Sequence, residues 1–382
     1  MPAQHYLARC LLYRQPTSHD QARMPQRRIA PAPTPMPLAR GPRLSFDNLP
    51  VIPRAGASTV ALAGLLSDTG TTAFVVLHRG RIVWELDADG ASSRVLQRCF
   101  SVTKSFASAL VGIAIGEGAI ESAQQAIGTW LPGLRDARVA SLSLDHLLRM
   151  RSGVAFREGI WPWLDAPRTY YGHDLRRRVL GCRIGDPVGA FFHYNDWHPF
   201  LLALLIERAT GRSITSFLQE KVWDAIGAED PVCMMVDRDD AEGIEHLESG
   251  LSASARDLAK FGQLVLENGE ARSGRAVIPR GWLQSSTTAA PECGDPGWWR
   301  YYRGQPWGRV LAGGRTDYAA MWWGHTPMHG VRDVFAMGVL GQHIYVSSDT
   351  QVVIVRLSDR FPPGTWWAPV LRQVAEAAAS SA

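Results

Sequence analysis

The sequence predicts an α/β (α+β) protein in which an antiparallel sheet is built from both chain ends, is flanked by helices and carries an inserted, mainly helical lobe. Three observations predict this fold. Strand-like segments occur near residues 71–87 and 342–358, helix-like segments fill the chain between them, and a further helical segment closes the chain. When both ends of a chain supply strands to one sheet, the intervening helices must cover its faces or form a lobe of their own.

The strands are predicted from two segments with hairpin patterns. In TTAFVVLHRGRIVWELD, β-branched and aromatic residues lie on both sides of Arg79–Gly80, which is typical of a β-hairpin. In QHIYVSSDTQVVIVRLS, two similar runs flank a turn at Ser348–Asp349. Each segment therefore predicts a pair of neighbouring strands.

The helices are predicted from apolar spacing and from residues typical of helix ends. Apolar residues spaced three and four apart from Phe106 to Ala114 indicate a helix that Gly116 ends. HPFLLALLIERATG forms a second apolar helix, and Ser213 and Ser254 are candidate N-caps of two more. APVLRQVAEAAAS is the predicted last helix.

The chain divides into a tail and one two-lobed domain. Residues 1–48 are rich in Pro, Arg and Gln and are predicted to be a disordered or extended tail. Residues 49–382 form the domain, with an α/β lobe over about 49–125 and 250–382 and a helical lobe over about 126–249.

Composition and charge exclude several classes of protein. The net charge is only +4 over 382 residues, and the basic residues form no stripe with interleaved aromatics, so nucleic-acid binding is not predicted. The sequence has no run of about 18 apolar residues, so a membrane span is not predicted. The N-terminal segment lacks the pattern of a secretory signal, which predicts a cytoplasmic protein, with a periplasmic location as the alternative. The oligomeric state stays open.

The distribution of cysteine and histidine predicts neither a metal nor another cofactor. The five cysteines stand far apart without a CxxC pair, which argues against both a zinc site and a disulfide framework. His325, His329 and His343 have spacings that match no standard zinc ligand set.

The main chemical signal is the tetrapeptide from Ser101 to Lys104, an S-x-x-K motif at the start of the apolar helix. Residues three apart lie on the same face of a helix, so the lysine amine can reach the serine hydroxyl. A serine becomes a good nucleophile when a base takes its proton, and a lysine does this if burial and nearby positive charge lower its pKa. The N–H groups at the helix start can stabilise an oxyanion. By itself, the motif also fits an N-cap serine beside a solvated lysine.

Two further segments carry candidate site residues. Tyr194 precedes the second apolar helix, and a tyrosine beside a lysine can transfer protons. The segment GVLGQ, residues 338–342, is a glycine-flanked strand edge where a backbone N–H can act as a second oxyanion donor. Simple packing of the tyrosine and an ordinary edge strand are the alternatives.

Together these motifs resemble the serine β-lactamase and penicillin-binding protein family, most closely its class C-like branch of esterases and 6-aminohexanoate-dimer hydrolases. The resemblance covers about residues 55–375. It is carried by FSVTKSFASALVGIAIGEG, LLRMRSGVAF, HYNDWHPFLLALLIERATGRS, GLSASARDLAKFGQLVLENG and GQHIYVSSDTQVVIVRLSD, in that order.

The resemblance implies a role for each motif residue. Ser101 is the nucleophile, and Lys104 is its base. Tyr194 matches the tyrosine of the family's Y-x-N motif, which protonates the leaving group and helps to activate the deacylating water. The oxyanion hole is implied to be the backbone N–H groups of Ser101 and Gln342, and no metal is implied.

Two departures from the family pattern affect the expected substrate. Asp196 stands at the third position of Y-x-N, although Asn195 precedes it, and a carboxylate there favours a cationic or amide-bearing substrate over an anionic one. Val339 and Leu340 stand where the third motif has the lysine of K-T-G, or the histidine of esterase-like members. These departures favour an esterase or amidase over a β-lactamase.

The predicted substrate-binding residues lie in aromatic stretches or beside the motifs: Tyr170, Tyr171, Asn195, Asp196, Trp161, Trp323 and Gly341. Aromatic rings line apolar pockets well, although core packing is the alternative use of each ring. The resemblance implies that a tyrosine of the helical lobe contacts the scissile amide nitrogen, and Tyr170 and Tyr171 are both candidates.

The sequence therefore predicts a serine hydrolase that cleaves a carboxylic ester or amide through an acyl-enzyme on Ser101. A β-lactamase or D,D-peptidase is one alternative. A non-catalytic binding protein on the same fold is another, suggested by the altered third motif.

Overall fold

The computed structural model describes residues 6–87, 93–305, 308, 310–311, 314–361 and 366–381. Its strands are β1 (Gln26–Ile29), β2 (Pro50–Val51), β3 (Val60–Ala61), β4 (Thr71–His78), β5 (Arg81–Asp87), β6 (Gln97–Arg98), β7 (Val232–Met235), β8 (Leu251–Ala253), β9 (Thr316–Ala319), β10 (Trp322–His325), β11 (Asp333–Gly338), β12 (Gln342–Ser347) and β13 (Val352–Ser358).

The α-helices of the described residues are α1 (Tyr6–Tyr13), α2 (Leu62–Asp68), α3 (Thr103–Gly116), α4 (Ala137–Ala140), α5 (Leu144–Leu148), α6 (Asp165–Tyr171), α7 (Leu175–Val179), α8 (Trp197–Thr210), α9 (Ile214–Leu218), α10 (Ala255–Leu266), α11 (Arg280–Ser286) and α12 (Trp367–Ser380). A 3₁₀ turn over Phe100–Val102 directly precedes α3. The side chains of Ser213 and Ser254 cap α9 and α10 as predicted.

The main sheet joins the two ends of the chain. It has seven antiparallel strands in the order β5-β4-β13-β12-β11-β10-β9, so the N-terminal hairpin pairs directly with the last strand. Strands β1-β7-β8-β6 form a second sheet, and β2 pairs with β3. The predicted fold class is confirmed, and the hairpin turns fall at Arg79–Gly80 and after Ser347 as expected. The division into two lobes stays a prediction.

Helices cover both faces of the main sheet. Gly262 of α10 lies against Val353, because a Cβ added to this glycine would come within 2.5 Å of the valine side chain. Trp367 of α12 lies over Arg356, with the guanidinium 3.9 Å from the ring centroid. Since successive side chains of a strand point to opposite faces, α10 and α12 pack on opposite sides of β13.

Helix α3 is held deep inside the protein. Its residues from Thr103 to Ala114 are all buried, and it packs against α8. Gly112 lets the helix approach α11, because a Cβ there would lie 2.2 Å from the Trp282 ring. This burial explains why the helix is apolar on every side and why its amphipathic pattern is weak.

The N-terminal segment differs from the disordered alternative predicted for residues 1–48. Tyr6–Tyr13 is a helix that packs on α6, and β1 pairs with β7. Arg9 is buried and donates to the carbonyl oxygens of Gly172 and Asp237, each at 3.0 Å. A composition rich in Pro and Arg did not indicate this order, because these contacts are made with residues more than 160 positions away.

None of the described helices is long and apolar enough to cross a membrane.

Candidate active site

Ser101 and Lys104 are brought together by the turn before α3. The Lys104 Nζ donates to the Ser101 Oγ at 2.9 Å and to the Glu248 carbonyl oxygen at 2.8 Å. The residue before the serine, Phe100, has a φ of 49°, which is unusual for a residue with a side chain. Such a conformation costs about 1–3 kcal/mol and persists only when packing holds it. Here the Phe100 ring stacks on Tyr170, with 6.3 Å between centroids.

The charge beside Lys104 is negative, whereas a lysine base with a lowered pKa requires nearby positive charge. Its Nζ lies 2.8 Å from the Asp196 Oδ1. Burial acts to lower the pKa of Lys104, but the interactions with Asp196 and Tyr194 outweigh it, and the pKa is raised above the ordinary value. The expectation of a lowered pKa is wrong, because the nearest charge is a carboxylate rather than a cation. Lys104 is therefore protonated in the resting site at neutral pH.

Tyr194 completes the cluster around the nucleophile. Its ring centroid is 4.8 Å from the Lys104 Nζ, and the ring stacks on Trp323 with 6.0 Å between centroids. Burial raises the pKa of Tyr194, while interactions with Lys104 and Ser101 act to lower it, and burial prevails. The hydroxyl is consequently neutral and can donate a proton to a group that binds at Ser101.

Gly338 of the third motif lies close to Ser101. A Cβ added to Gly338 would lie 2.3 Å from the Cys99 carbonyl oxygen and 3.2 Å from the Ser101 nitrogen, so only glycine allows this approach. Gln342 is fully buried, and its side chain exchanges hydrogen bonds with the Ser358 backbone at 2.7 and 2.9 Å.

A cavity of about 530 Å³ opens in front of this cluster. Ser101, Tyr194 and Trp323 line it, together with the backbone turn that runs from Gly338 to Gly341. Its walls are mainly apolar, with few polar groups pointing inward, as in most sites that bind small molecules. The arrangement combines a serine, a lysine and a tyrosine at one end of an apolar cleft.

The comparison with known families agrees with this geometry. The family model for Beta-lactamase matches residues 62–379. The chain belongs to the beta-lactamase family. The resemblance inferred from the motifs is thus confirmed, and the match excludes the N-terminal segment that carries α1 and β1.

Individual members of the family are similar over most of this chain. A 6-aminohexanoate-dimer hydrolase from Paenarthrobacter ureafaciens is 26% identical over 329 residues, covering 78% of this chain and 75% of its own. A Bacillus anthracis structure provisionally named as a 6-aminohexanoate-dimer hydrolase has a TM-score of 0.77 at 23% identity, covering 94% of this chain and 90% of its own. A beta-lactamase/D-alanine carboxypeptidase from Pseudomonas syringae has a TM-score of 0.57 at 15% identity, covering 84% of this chain and 99% of its own.

Within this beta-lactamase-family site, three of the predicted substrate contacts lie close to the nucleophile. Trp323 and Gly341 line the cavity, and Asp196 is paired with Lys104. Asn195 is buried away from the cavity, where its side chain bonds to the Val154 carbonyl oxygen and the Trp197 nitrogen at 2.9 Å each. Asn195 therefore stabilises the start of α8, whereas the neighbouring Asp196 pairs with Lys104.

Three aromatic residues predicted to bind substrate, Trp161, Tyr170 and Tyr171, lie outside the cavity wall. The Tyr170 hydroxyl donates to the Asp20 Oδ2 at 2.6 Å, and Tyr171 is buried beneath the N-terminal segment. Trp161 is 57% exposed and stacks on Trp163 with 5.2 Å between centroids. None of the three predicted rings, Trp161, Tyr170 and Tyr171, lines the cavity, although Tyr170 stacks on Phe100, the residue before Ser101. The N-terminal segment, whose packing was not predicted, occupies the space next to the two tyrosines.

Several polar cavity residues are not among the predicted substrate contacts. Glu158 and Tyr302 lie beside Tyr194, and His343 lies on β12. An acidic residue near the aromatic stretch was visible in the sequence, but nothing there indicated that it reaches the cavity. His343 was considered only as a zinc ligand. Among the residues that the structure describes, no three His, Cys, Asp or Glu side chains converge as a metal site.

Proposed function

We propose that this protein is a serine hydrolase that cleaves a carboxylic ester or amide through an acyl-enzyme on Ser101. The observation that carries the proposal is the 2.9 Å separation of the Lys104 Nζ and the Ser101 Oγ at the head of an apolar cavity. Membership of the beta-lactamase family and the similarity to a named amide hydrolase support it.

The acylation step moves one proton from Ser101 to Lys104 and another from Tyr194 to the leaving group. Lys104 first loses a proton to solvent, and its free amine, 2.9 Å from the Ser101 Oγ, then accepts the Ser101 proton as the Oγ attacks the carbonyl carbon. The tetrahedral intermediate collapses when the leaving oxygen or nitrogen takes a proton from Tyr194. Water then attacks the ester of Ser101 by the reverse set of transfers and releases the acid.

The oxyanion of the intermediate requires two N–H donors. Ser101 supplies one from the start of the α3 turn. Val339, which follows the close approach of Gly338 and lines the cavity, is the proposed second donor in place of Gln342. Donors fixed in advance at such a position typically contribute about 3 kcal/mol to transition-state stabilisation.

The lining of the cavity supports a substrate with a cationic or neutral amide-bearing chain. Glu158 lies in the wall beside Tyr302, and burial, followed by the charge of Asp196, raises the pKa of its carboxyl group. A carboxylate in this position attracts an ammonium group and repels another carboxylate. Linear amides with a terminal amine, as in the name of the Paenarthrobacter relative, are therefore the first compounds to test.

The assignment of the nucleophile is tested by covalent labelling with a fluorophosphonate probe. The Ser101→Ala variant should lose labelling and the p-nitrophenol burst from short-chain nitrophenyl esters. Ser108→Ala is the matched control, because Ser108 is buried in the same helix and its hydroxyl has no hydrogen-bond partner among the described residues. Equal labelling of the two variants would favour a non-catalytic scaffold, and labelling by a fluorescent penicillin would favour a β-lactamase or D,D-peptidase.

Asp196 is expected to set the pH dependence of the reaction. Lys104 accepts a proton only when neutral, and its raised pKa means that the neutral fraction grows only as the pH rises toward that pKa. Asp196→Asn removes the main opposing charge, so burial lowers the pKa of Lys104. The acid limb of the kcat/KM profile should move by about one pH unit or more toward lower pH.

The control for this shift is Asp240→Asn, which removes an exposed carboxylate paired with Arg238 at 2.7 Å. Its profile should match that of the unchanged protein. An acid limb that stays in place in Asp196→Asn would show that the protonation of Lys104 does not limit catalysis.

A further inference from the structure

His343 is a buried polar side chain in the cavity wall that the proposed mechanism does not use. It is 2% exposed and lies on β12, opposite Met337 of β11. A row of rings connects it to the nucleophile. Tyr194 stacks on Trp323, Trp323 stacks on Phe335 at 6.5 Å, and the His343 ring lies 6.1 Å from Phe335. His343 and Ser101 line the same cavity.

The hydrogen bonds of His343 determine its tautomer. Its Nδ1 lies 2.9 Å from the Gly341 carbonyl oxygen. A carbonyl oxygen can only accept, so the Nδ1 must carry the proton. The same oxygen accepts a bond from the Arg356 Nη1 at 2.6 Å, which places a fixed positive charge beside the ring. Burial, assisted by Arg356, lowers the pKa of His343 to about 3, and the ring is neutral at ordinary pH.

The second ring nitrogen is left as an acceptor without a donor. In the neutral tautomer the Nε2 carries a lone pair, and it is buried with no hydrogen-bond partner among the described residues. Phe335 and Met337 beside it offer no N–H or O–H group. A buried acceptor that stays unpaired costs about 1–3 kcal/mol, so a ligand that brings a donor to this point gains affinity.

We propose that the His343 Nε2 accepts a hydrogen bond from a neutral amide N–H in the substrate chain, other than the group that Ser101 attacks. This inference rests on the proposed hydrolase function and names its substrate class, a chain with a second, secondary amide. A neutral amide fits better than an ammonium group, because the Arg356 guanidinium lies on the same Gly341 oxygen. The same cavity is lined by Phe361, Trp366 and Trp367, on which a flat amide can stack.

Paired substrates that differ only at the amide nitrogen test the proposal. The probes are p-nitrophenyl acetamidoalkanoates of increasing chain length, each compared with its N-methylated counterpart. At the best chain length, the unchanged protein should prefer the N–H ester by about tenfold in kcat/KM, since a site with a buried acceptor discriminates against a ligand that lacks the donor.

Two variants separate the acceptor from the packing of the ring. His343→Asn keeps an amide N–H for the Gly341 oxygen but removes the Nε2 acceptor, so the preference should fall to about one. His343→Gln places an acceptor near the former Nε2 and should retain part of the preference. The N-methyl group has the same steric effect in every protein compared. The test is therefore the change, between proteins, in the ratio of kcat/KM for the N–H ester to kcat/KM for the N-methylated ester. An unchanged ratio in His343→Asn would overturn the proposal.

Binding to a protein that cannot be acylated separates this proposal from the hydrolase function. In the Ser101→Ala background, the Kd of the corresponding N-butyl amides is measured by calorimetry, with and without His343→Asn. A preference for the N–H amide that disappears with His343→Asn supports the acceptor role even if no ester is hydrolysed. Hydrolysis that depends on Ser101, without any such preference or without binding of the amides, supports the function and refutes the role of His343.

Discussion

Replacing Lys104 by methionine is expected to lower kcat for a nitrophenyl ester by about a thousandfold, within the range that general-base catalysis contributes. The Nζ that this change removes lies 2.9 Å from the Ser101 Oγ and is held by the Glu248 carbonyl oxygen. Without it, Ser101 loses the only amine that bonds to its Oγ among the described residues. The rate of fluorophosphonate labelling should fall in parallel, because that reaction also requires an activated Ser101.

The control for this loss is Lys260→Met. Lys260 is also buried, at 4% exposure, and its Nζ pairs with Glu229 and Asp257 at 3.0 Å each, on a helix that does not reach the cavity. Both variants remove a buried amine that is paired with carboxylates, so both should unfold at lower temperature. Only Lys104→Met should lose activity while folded. If Lys104→Met kept more than about a tenth of kcat, Lys104 would not be the base.

The largest effect on stability is expected at Arg356, where substitution by methionine should lower the free energy of unfolding by about 4 kcal/mol. The guanidinium is fully buried, and it bonds to Thr69, Thr71 and the Gly341 carbonyl oxygen at 2.6–3.0 Å. Burial lowers the pKa of Arg356 to about 9. Methionine preserves the packing on Trp367 but leaves the oxygens with fewer donors.

Urea unfolding measures this loss, and Arg360→Met is the matched control. Arg360 lies four residues further along, is 64% exposed at its side chain and meets Asp359 at 3.5 Å. An exposed pair of this kind contributes at most about 1 kcal/mol. Similar midpoints for the two variants would mean that the contacts of Arg356 are replaced by others.

Local patterns predicted most of the secondary structure. The hairpin at Arg79–Gly80 follows from alternation and a turn glycine, both of which are encoded within a few residues. The starts of α9 and α10 follow from Ser213 and Ser254, whose hydroxyl groups bond to N–H groups three residues later. Such features need no knowledge of the rest of the chain, and this is why the sequence was enough to predict them.

The site was predictable only where it is local. Ser101 and Lys104 are three residues apart on one helical face, so their contact followed from spacing. The ion pair of Lys104 with Asp196 depends on how α3 docks against α8, and it reversed the expected pKa shift. The close approach of Gly338 to Ser101 depends on how β11 docks against the turn before α3. Neither arrangement follows from the spacing of residues in a single sequence.

The pairing of β1 with β7 has a consequence for solubility. Strand β7 (Val232–Met235) is wholly buried and apolar, with β8 on one side and β1 on the other. A chain shortened to residues 62–379, the part that matches the family, would lack β1 and would present the backbone N–H and C=O groups of β7 to other molecules. Unprotected strands of this composition recruit further strands and promote aggregation. By pairing with β7, the N-terminal segment thus protects the protein against self-association.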